Sequence, residues 1–168
     1  MKKLGLILAF LLMVSCQQEK TGYLNTVELM EDYQERKDAE ESFNIKKQAF
    51  EKKRDSITQA FQLEAQAFQT KSQKMSPQKA QEEYAIFQQR AQFIGQQLQQ
   101  EEQLMQTQGQ TEIDSLVSKV KKHIKAYGKA NGYTYILNGG DGGGVLYGED
   151  AKDLTKIILD ELNAKSKE

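Results

Sequence analysis

The long middle of the chain repeats its apolar residues at helical rather than strand spacing. Between about Thr26 and Asn131 these residues recur mostly at seven- and four-residue steps, the period of a helix that buries one narrow stripe. In the first half they are Tyr33, Phe43, Phe50, Ile57, Phe61, Phe68 and Met75, and in the second Tyr84, Phe87, Ala91, Ile94, Leu98 and Met105. Charged residues fill many of the alternate positions, so the pattern predicts two long helices with a sparse seam.

Pro77, the only proline, lies between these two helical segments. A proline costs roughly 3 kcal/mol inside a helix but is tolerated in its first turn. Ser76 is a good N-cap for such a helix. The sequence therefore predicts an antiparallel helical hairpin over residues 26–131 with its tip near 72–77. At about 1.5 Å per residue, each arm of roughly 50 residues would reach about 75 Å.

Folding at Pro77 gives each seam residue a partner in the other arm. Facing residues then have numbers that add to about 152, so that Phe68 meets Tyr84 and Phe61 meets Ala91. Ile86 and Phe93 lie seven residues apart but off this seam, and a second apolar stripe indicates a partner surface. Four residues are therefore the predicted partner-binding residues: Ile86, Phe93, Leu63 and the tip residue Met75.

The last forty residues change to a β-rich composition. Tyr133–Asn138 and Val145–Tyr147 read as strands, and the glycines between them predict a β-hairpin. Tyr23-Leu24 reads as an earlier anchor strand, and a final amphipathic helix is predicted over Thr155–Leu162. A sheet of so few strands is not stable alone in water. We therefore expect the anchor strand and residues 132–168 to form an oligomerisation body together with strands from other copies. Its predicted residues are Tyr23, Leu24, Tyr133, Tyr135, Ile136, Leu137, Val145, Leu146 and Tyr147.

The N-terminus is typical of an exported protein. Lys2 and Lys3 precede the apolar run Leu4–Val14, which is too short to span a bilayer. The run ends at Ser15-Cys16, which resembles a bacterial lipoprotein signal and predicts a signal peptide over residues 1–15 with lipidation of Cys16. Residues 16–25 would then be the lipidated N-terminus and first strand. The alternative is a plain signal peptide with an incidental cysteine.

Charge and chemistry exclude several classes of function. The chain has a net charge of −1, and without Lys2 and Lys3 this becomes −3, which disfavours nucleic-acid binding and weakens electrostatic docking onto anionic lipid. The glycine run lacks the lysine of a phosphate loop, since Val145 follows it. His123, the only histidine, makes no zinc site and is predicted to be a solvated residue. We predict no enzyme activity, no cofactor and no metal.

The order of the predicted elements resembles that of the Skp/OmpH family of periplasmic chaperones. This order is an anchor strand, a long helical hairpin, a β-rich segment and a closing helix. The matching segments are Gly22–Thr26, Leu29-Met30 with Tyr33, Ala130–Leu137, Gly144–Tyr147 and Lys152–Thr155. The resemblance implies a mainly α fold with a small β body, shared by a homotrimer whose hairpins surround a cavity. It also implies that the cavity holds unfolded outer-membrane proteins without ATP. Well-studied members are basic and soluble, whereas this chain is mildly acidic and carries the lipoprotein-like signal.

The residues and the resemblance together predict an ATP-independent holdase in the periplasm, anchored to a membrane through the lipid. Its clients would be unfolded outer-membrane proteins, held by many weak apolar contacts. The rival hypothesis is a structural coiled-coil lipoprotein that tethers an envelope partner, because a helical hairpin serves both purposes.

Overall fold

The computed structural model describes residues 19–140 and 142–165, which form two compact units. We call residues 34–119 the hairpin, and residues 19–33 with 120–165 the body. The predicted signal peptide, residues 1–15, and the predicted lipidation site, Cys16, lie outside the described residues.

The hairpin consists of two antiparallel helices joined by a tight turn. The first is helix α2, Gln34–Ser72. The second is the first part, up to residue 119, of helix α3, Pro77–Ala130. In the turn, Lys74 N donates to Lys71 O and Met75 N donates to Ser72 O, both at 3.1 Å. Ser76 Oγ accepts from Lys79 N at 3.4 Å, so Ser76 caps α3 and Pro77 occupies its first position. The predicted roles of Ser76 and Pro77 are confirmed.

Aromatic rings form much of the seam in the outer part of the hairpin. The Phe68 and Tyr84 centroids lie 6.0 Å apart, as the pairing about Pro77 predicts. Phe61 contacts Phe87 at 5.6 Å between centroids, one turn nearer the tip than its predicted partner Ala91. Between residues 51 and 115 no residue is buried, whereas Ala39, Phe50 and Leu116 are 9%, 7% and 5% exposed. The seam is therefore thinner toward the tip, as its sparse composition predicts.

Four ion pairs join the two arms along one side of the hairpin, which we call the charged flank. They are Glu35–Lys119, Lys53–Glu101, Glu64–Arg90 and Lys71–Glu83. In every pair the two residue numbers add up to 154. The register between the arms is therefore constant from the base of the hairpin to its tip.

The body has a two-stranded parallel sheet, covered by short helices. Strand β1, Thr21–Asn25, pairs with β2, Tyr135–Gly139, in the register Thr21 to Tyr135. Helix α1, Thr26–Asp32, follows β1, and α4, Thr155–Lys165, closes the chain. The core of the body contains Leu24, Leu29, Tyr33, Leu154, Ile158 and Leu162, each no more than 2% exposed.

The helical segment after β1 is not continuous, although its spacing predicts one helix. The chain leaves helical geometry at Tyr33, whose φ and ψ are −67° and 117°. The Tyr33 side chain is 0% exposed, so burial in the body outweighs helix continuity at this position. Asn25 is the N-cap of α1, since its side chain accepts from Val27 N and Glu28 N, and Thr26 is the first helical residue.

The β-rich segment also differs from the predicted β-hairpin. Strand β2 begins at Tyr135, two residues later than predicted, and pairs with β1 instead of with Val145–Tyr147. Val145 forms only an isolated bridge to Gly139. Gly140 and Gly142 have positive φ values of 74° and 82°, a region that favours glycine, and they turn the chain away before a second strand can extend.

Across residues 19–140 and 142–165, no helix has both the length and the apolar character needed to cross a bilayer.

Candidate functional site

Three of the four predicted partner-binding residues are exposed on the arms. The exposed fractions are 64% for Ile86, 58% for Phe93 and 61% for Leu63. Met75 is half-buried in the turn, where its backbone N–H bonds to Ser72. The structure thus leaves Ile86, Phe93 and Leu63 outside the seam, which is the condition for contact with a partner.

Two further residues extend this apolar surface and were not predicted from the sequence. Leu104 is 58% exposed and lies eighteen residues after Ile86, and Ile45 is 61% exposed and lies eighteen residues before Leu63. Eighteen residues are five turns of an α-helix, so each pair lies on one line along its arm. That eighteen-residue spacing is visible in the sequence. Because eighteen is not a multiple of seven, a heptad pattern does not reveal it.

An open groove lies between the arms beside Ile86. Its volume is ≈ 420 Å³, and its lining includes Ala67, Phe68, Ile86 and Phe87. The Lys71–Glu83 and Glu64–Arg90 ion pairs also line it, with N–O distances of 3.0 and 2.7 Å. A second groove of ≈ 500 Å³ is bordered by Leu104 and by the Lys53–Glu101 pair. The charged flank therefore alternates ion pairs with apolar grooves.

The opposite side of α3 has a different chemistry, and we call it the glutamine flank. Helical spacing puts uncharged, exposed glutamines there: Gln88, Gln92, Gln99, Gln103, Gln106 and Gln110. A groove of ≈ 340 Å³ on this side contains Phe43 and Gly109. The charged flank thus offers a partner apolar side chains between ion pairs that join the arms. The glutamine flank offers neutral amides on α3 beside the Arg36–Glu40 ion pair within α2.

The predicted oligomerisation residues of the body divide into buried and exposed groups. Leu24 is 2% exposed, and Tyr23, Tyr133, Ile136 and Val145 are half-buried. The exposed group is Tyr135 at 57%, Leu137 at 47%, Leu146 at 100% and Tyr147 at 86%. These four residues are therefore available for contact with another copy, as an oligomerisation surface requires.

Tyr23 connects β1 to the loop that contains these exposed residues. Its hydroxyl donates to Gly148 O at 3.3 Å, and a Cβ at Gly148 would lie within van der Waals overlap of the Tyr23 ring. Burial, with the nearby Asp153 carboxylate second, raises the pKa of Tyr23 above its ordinary value. The loop is therefore held against the sheet by a neutral phenol.

His123 is not the solvated residue that the sequence predicts. Its side chain is 9% exposed, and Nε2 lies 2.9 Å from Glu161 Oε2 on α4. Nδ1 lies 3.3 Å from Lys165 Nζ. The spacing of His123, seven residues after Leu116 and four before Tyr127, is that of the apolar face, and it is the signal that sequence reasoning missed.

No group of three or more His, Cys, Asp or Glu residues within the described part of the chain is arranged to hold a metal ion.

Known proteins share this fold. The crystal structure of a Caulobacter crescentus CB15 protein, provisionally described as an OmpH-like outer membrane chaperone, matches with a TM-score of 0.76. The two sequences are 14% identical, and the match covers 90% of this chain and 88% of that one. No curated protein matches the chain significantly. The family described as outer membrane protein (OmpH-like) matches residues 20–162, most of the chain. The mainly α fold and the family resemblance are thereby confirmed: the chain belongs to the OmpH-like outer membrane protein family.

Proposed function

We propose that this protein is an ATP-independent holdase chaperone that binds unfolded outer-membrane proteins in the cell envelope and prevents their aggregation. The observation that carries the proposal is the line of exposed apolar residues Ile86, Phe93 and Leu104 along an arm of a family member's hairpin. Leu63 and the tip residue Met75 belong to the same proposed client-binding surface.

The chemistry of the clients suits such a surface. Unfolded barrel proteins expose short segments of alternating apolar residues, and these segments aggregate when their edges pair. Separate exposed side chains give weak contacts, and several weak contacts in parallel retain a client through effective concentration. The weakness of each contact also permits release, for which the proposed mechanism needs no nucleotide.

The body is proposed to make a homotrimer. A two-stranded sheet is marginal alone, and the exposed Tyr135, Leu137, Leu146 and Tyr147 supply apolar area for other copies. Three copies would multiply the client-binding arms. In the proposal, the helical arms predicted over residues 26–131 include the hairpin, and residues 132–168 complete the body.

The proposed location is the periplasm, with the chain anchored to a membrane through a lipid on Cys16 after removal of residues 1–15. The basis is the signal sequence, together with membership of the OmpH-like family.

Light scattering of a urea-diluted outer-membrane protein tests the holdase. Equimolar trimer without lipid is expected to suppress aggregation in the absence of ATP. The double substitution Ile86→Ser with Phe93→Ser should raise the concentration needed for suppression severalfold, because two apolar contacts are lost. The matched control, Gln92→Ser with Gln99→Ser, makes the same seven-residue double change on the glutamine flank and should leave suppression unchanged.

Unaltered aggregation in the presence of the unmodified trimer would contradict the holdase and favour the tethering lipoprotein. Equal activity of the Ile86, Phe93 double variant would remove those residues from the site. Sedimentation of the chain as a monomer would contradict the shared body.

A further inference from the structure

The groove on the glutamine flank that contains Phe43 and Gly109 has an apolar lining. Its volume is ≈ 340 Å³, and Ala39, Phe43 and Ile113 supply the apolar side chains. A Cβ at Gly109 would lie 2.7 Å from Phe43 Cε2. The absence of a side chain at Gly109 therefore lets the Phe43 ring lie against the backbone of α3. We call this feature the Phe43 groove.

The charged residues that line the Phe43 groove leave one carboxylate without a partner. Arg36 and Glu40 lie one turn apart on α2, with 3.5 Å between Nη2 and Oε2, so their charges offset each other. Glu112 is exposed on α3, and it has no ion-pair partner in the part of the chain that the structure describes. The groove therefore combines an apolar lining with one surplus negative charge.

The Phe43 groove lies in the acidic part of the hairpin. Residues 34–45 and 109–119, which face each other across the arms, contain six acidic and three basic residues. Residues 46–108 contain seven acidic and nine basic residues. Because salt screens distant charges, the potential that a ligand meets depends on the charges nearby. The base of the hairpin therefore favours cations, whereas the rest of the hairpin does not.

We propose that the Phe43 groove binds cationic segments of an unfolded client, in which an arginine or a lysine stands beside an apolar residue. The apolar residue would contact Ala39, Phe43 and Ile113, and the cation would lie near Glu112. The Phe43 ring also attracts a cation, because the face of an aromatic ring is negative. The inference rests on the proposed function, which supplies unfolded clients, and it adds the sign of the charge that the hairpin selects.

Fluorescence anisotropy tests the proposal with three blocked, labelled peptides and the lipid-free chain of the aggregation assay. One peptide has an arginine between two phenylalanines in a glycine-serine background, and its counterparts have glutamine or glutamate in place of the arginine. The arginine peptide is expected to bind about two- to fivefold more tightly than the glutamine peptide, and the glutamate peptide most weakly. Added salt should reduce these preferences.

Glu112→Gln tests the charge without changing the shape of the groove. It should lower the ratio of arginine-peptide to glutamine-peptide affinity by about two- to fivefold, because the unpaired carboxylate is lost. The matched control is Glu102→Gln, which removes another exposed and unpaired carboxylate of α3, outside the groove. It should leave the ratio unchanged. Equal losses in the two variants would show a general charge effect and overturn the proposal.

Gly109→Ala tests the apolar lining without changing any charge. The new Cβ must displace the Phe43 ring, so the affinities of all three peptides should change by the same factor. Circular dichroism and sedimentation velocity verify that each variant folds and assembles as the parent does. Equal affinity of the parent for the arginine and glutamate peptides, or unchanged binding in folded Gly109→Ala, would overturn the proposal.

The aggregation assay separates this inference from the proposed function. A parent chain that prefers the arginine peptide but does not suppress aggregation would contradict the holdase and support the groove as a cationic peptide site. A parent chain that suppresses aggregation without preferring the arginine peptide would support the holdase and overturn the inference.

Discussion

The body and the hairpin bury their apolar residues to different depths. In the body, Leu29 and Ile158 are 0% exposed, and Leu24, Leu154 and Leu162 are each 2% exposed. In the outer hairpin, Phe61, Phe68 and Phe87 are only half-buried although their rings contact one another. The body is thus stabilised by close packing, whereas the hairpin is stabilised by a thin seam whose register is fixed by contacts across the arms.

This difference suits the two proposed roles, which are self-assembly of the body and client binding by the hairpin. A close-packed unit gives one defined surface, which an assembly with other copies requires. A thin seam leaves apolar side chains at the surface and small opening energies along the arms, which the capture of varied clients requires.

The largest expected effect is a core truncation in the body. Ile158→Ala should lower the free energy of unfolding by about 2–5 kcal/mol, because the side chain is fully buried. Phe61→Ala in the hairpin should cost only about 1–2 kcal/mol, since part of its ring is already in water. Urea denaturation measures both values, and hydrogen exchange assigns each loss to its unit. Equal costs would contradict the contrast in packing.

Gly95 and Gly109 of α3 lie in open and packed surroundings, respectively, within the hairpin. Nothing lies within 4 Å of a Cβ placed at Gly95, so Gly95→Ala should raise stability by roughly 0.5–1 kcal/mol through helix propensity. A Cβ at Gly109 would lie 2.7 Å from Phe43 Cε2, so Gly109→Ala must displace the ring. We expect it to be less stable than Gly95→Ala by about 1–3 kcal/mol. Thermal unfolding that ranks the two equally would show that Phe43 moves freely.

Alkaline pH should affect the body before the hairpin. Burial raises the pKa of both Tyr23 and Tyr127 above the ordinary 10.0, so the folded body keeps phenolic protons that the unfolded chain has lost. The stability they contribute is fully present below pH 10.0 and is lost as the pH rises through the folded values. Body amides should therefore lose exchange protection above that pH, and Tyr23→Phe with Tyr127→Phe should reduce the loss.

The smallest expected effect concerns one ion pair of the charged flank. The side chains of Arg90 and Glu64 remain 56% and 40% exposed at a separation of 2.7 Å. A double-mutant cycle with Arg90→Ala and Glu64→Ala should give a coupling of about 0.2–1 kcal/mol that decreases with added salt. A coupling of several kcal/mol, independent of salt, would mean that ion pairs rather than the seam hold the arms together.

The elements that depend on local signals could be predicted from the sequence. The hairpin follows from apolar periodicity, and its tip follows from Ser76 and Pro77, because an N-cap and a first-turn proline act within one helical turn. The exposure of Ile86 and Phe93 follows from their phase relative to the seam.

Other features depend on residues far apart in the chain and could not be found this way. Strand β2 pairs with β1, which lies more than a hundred residues earlier in the chain. No local turn signal predicts a pairing over that distance. The chain leaves helical geometry at Tyr33, where the side chain is 0% exposed in the body. A heptad pattern does not predict that burial. His123 is only 9% exposed, and the side chains beside its two nitrogens, Glu161 and Lys165, lie on a helix that begins more than thirty residues later.

The shared register of the four ion pairs has a consequence for how such arms change length during evolution. An insertion in one arm alone would shift every pair between the insertion and the base out of line, and would also rotate the apolar stripe. Matched insertions of whole heptads on both sides of the turn would preserve both the pairing and the face. The reach of the arm is therefore a heritable quantity that can change in steps, with the body left untouched.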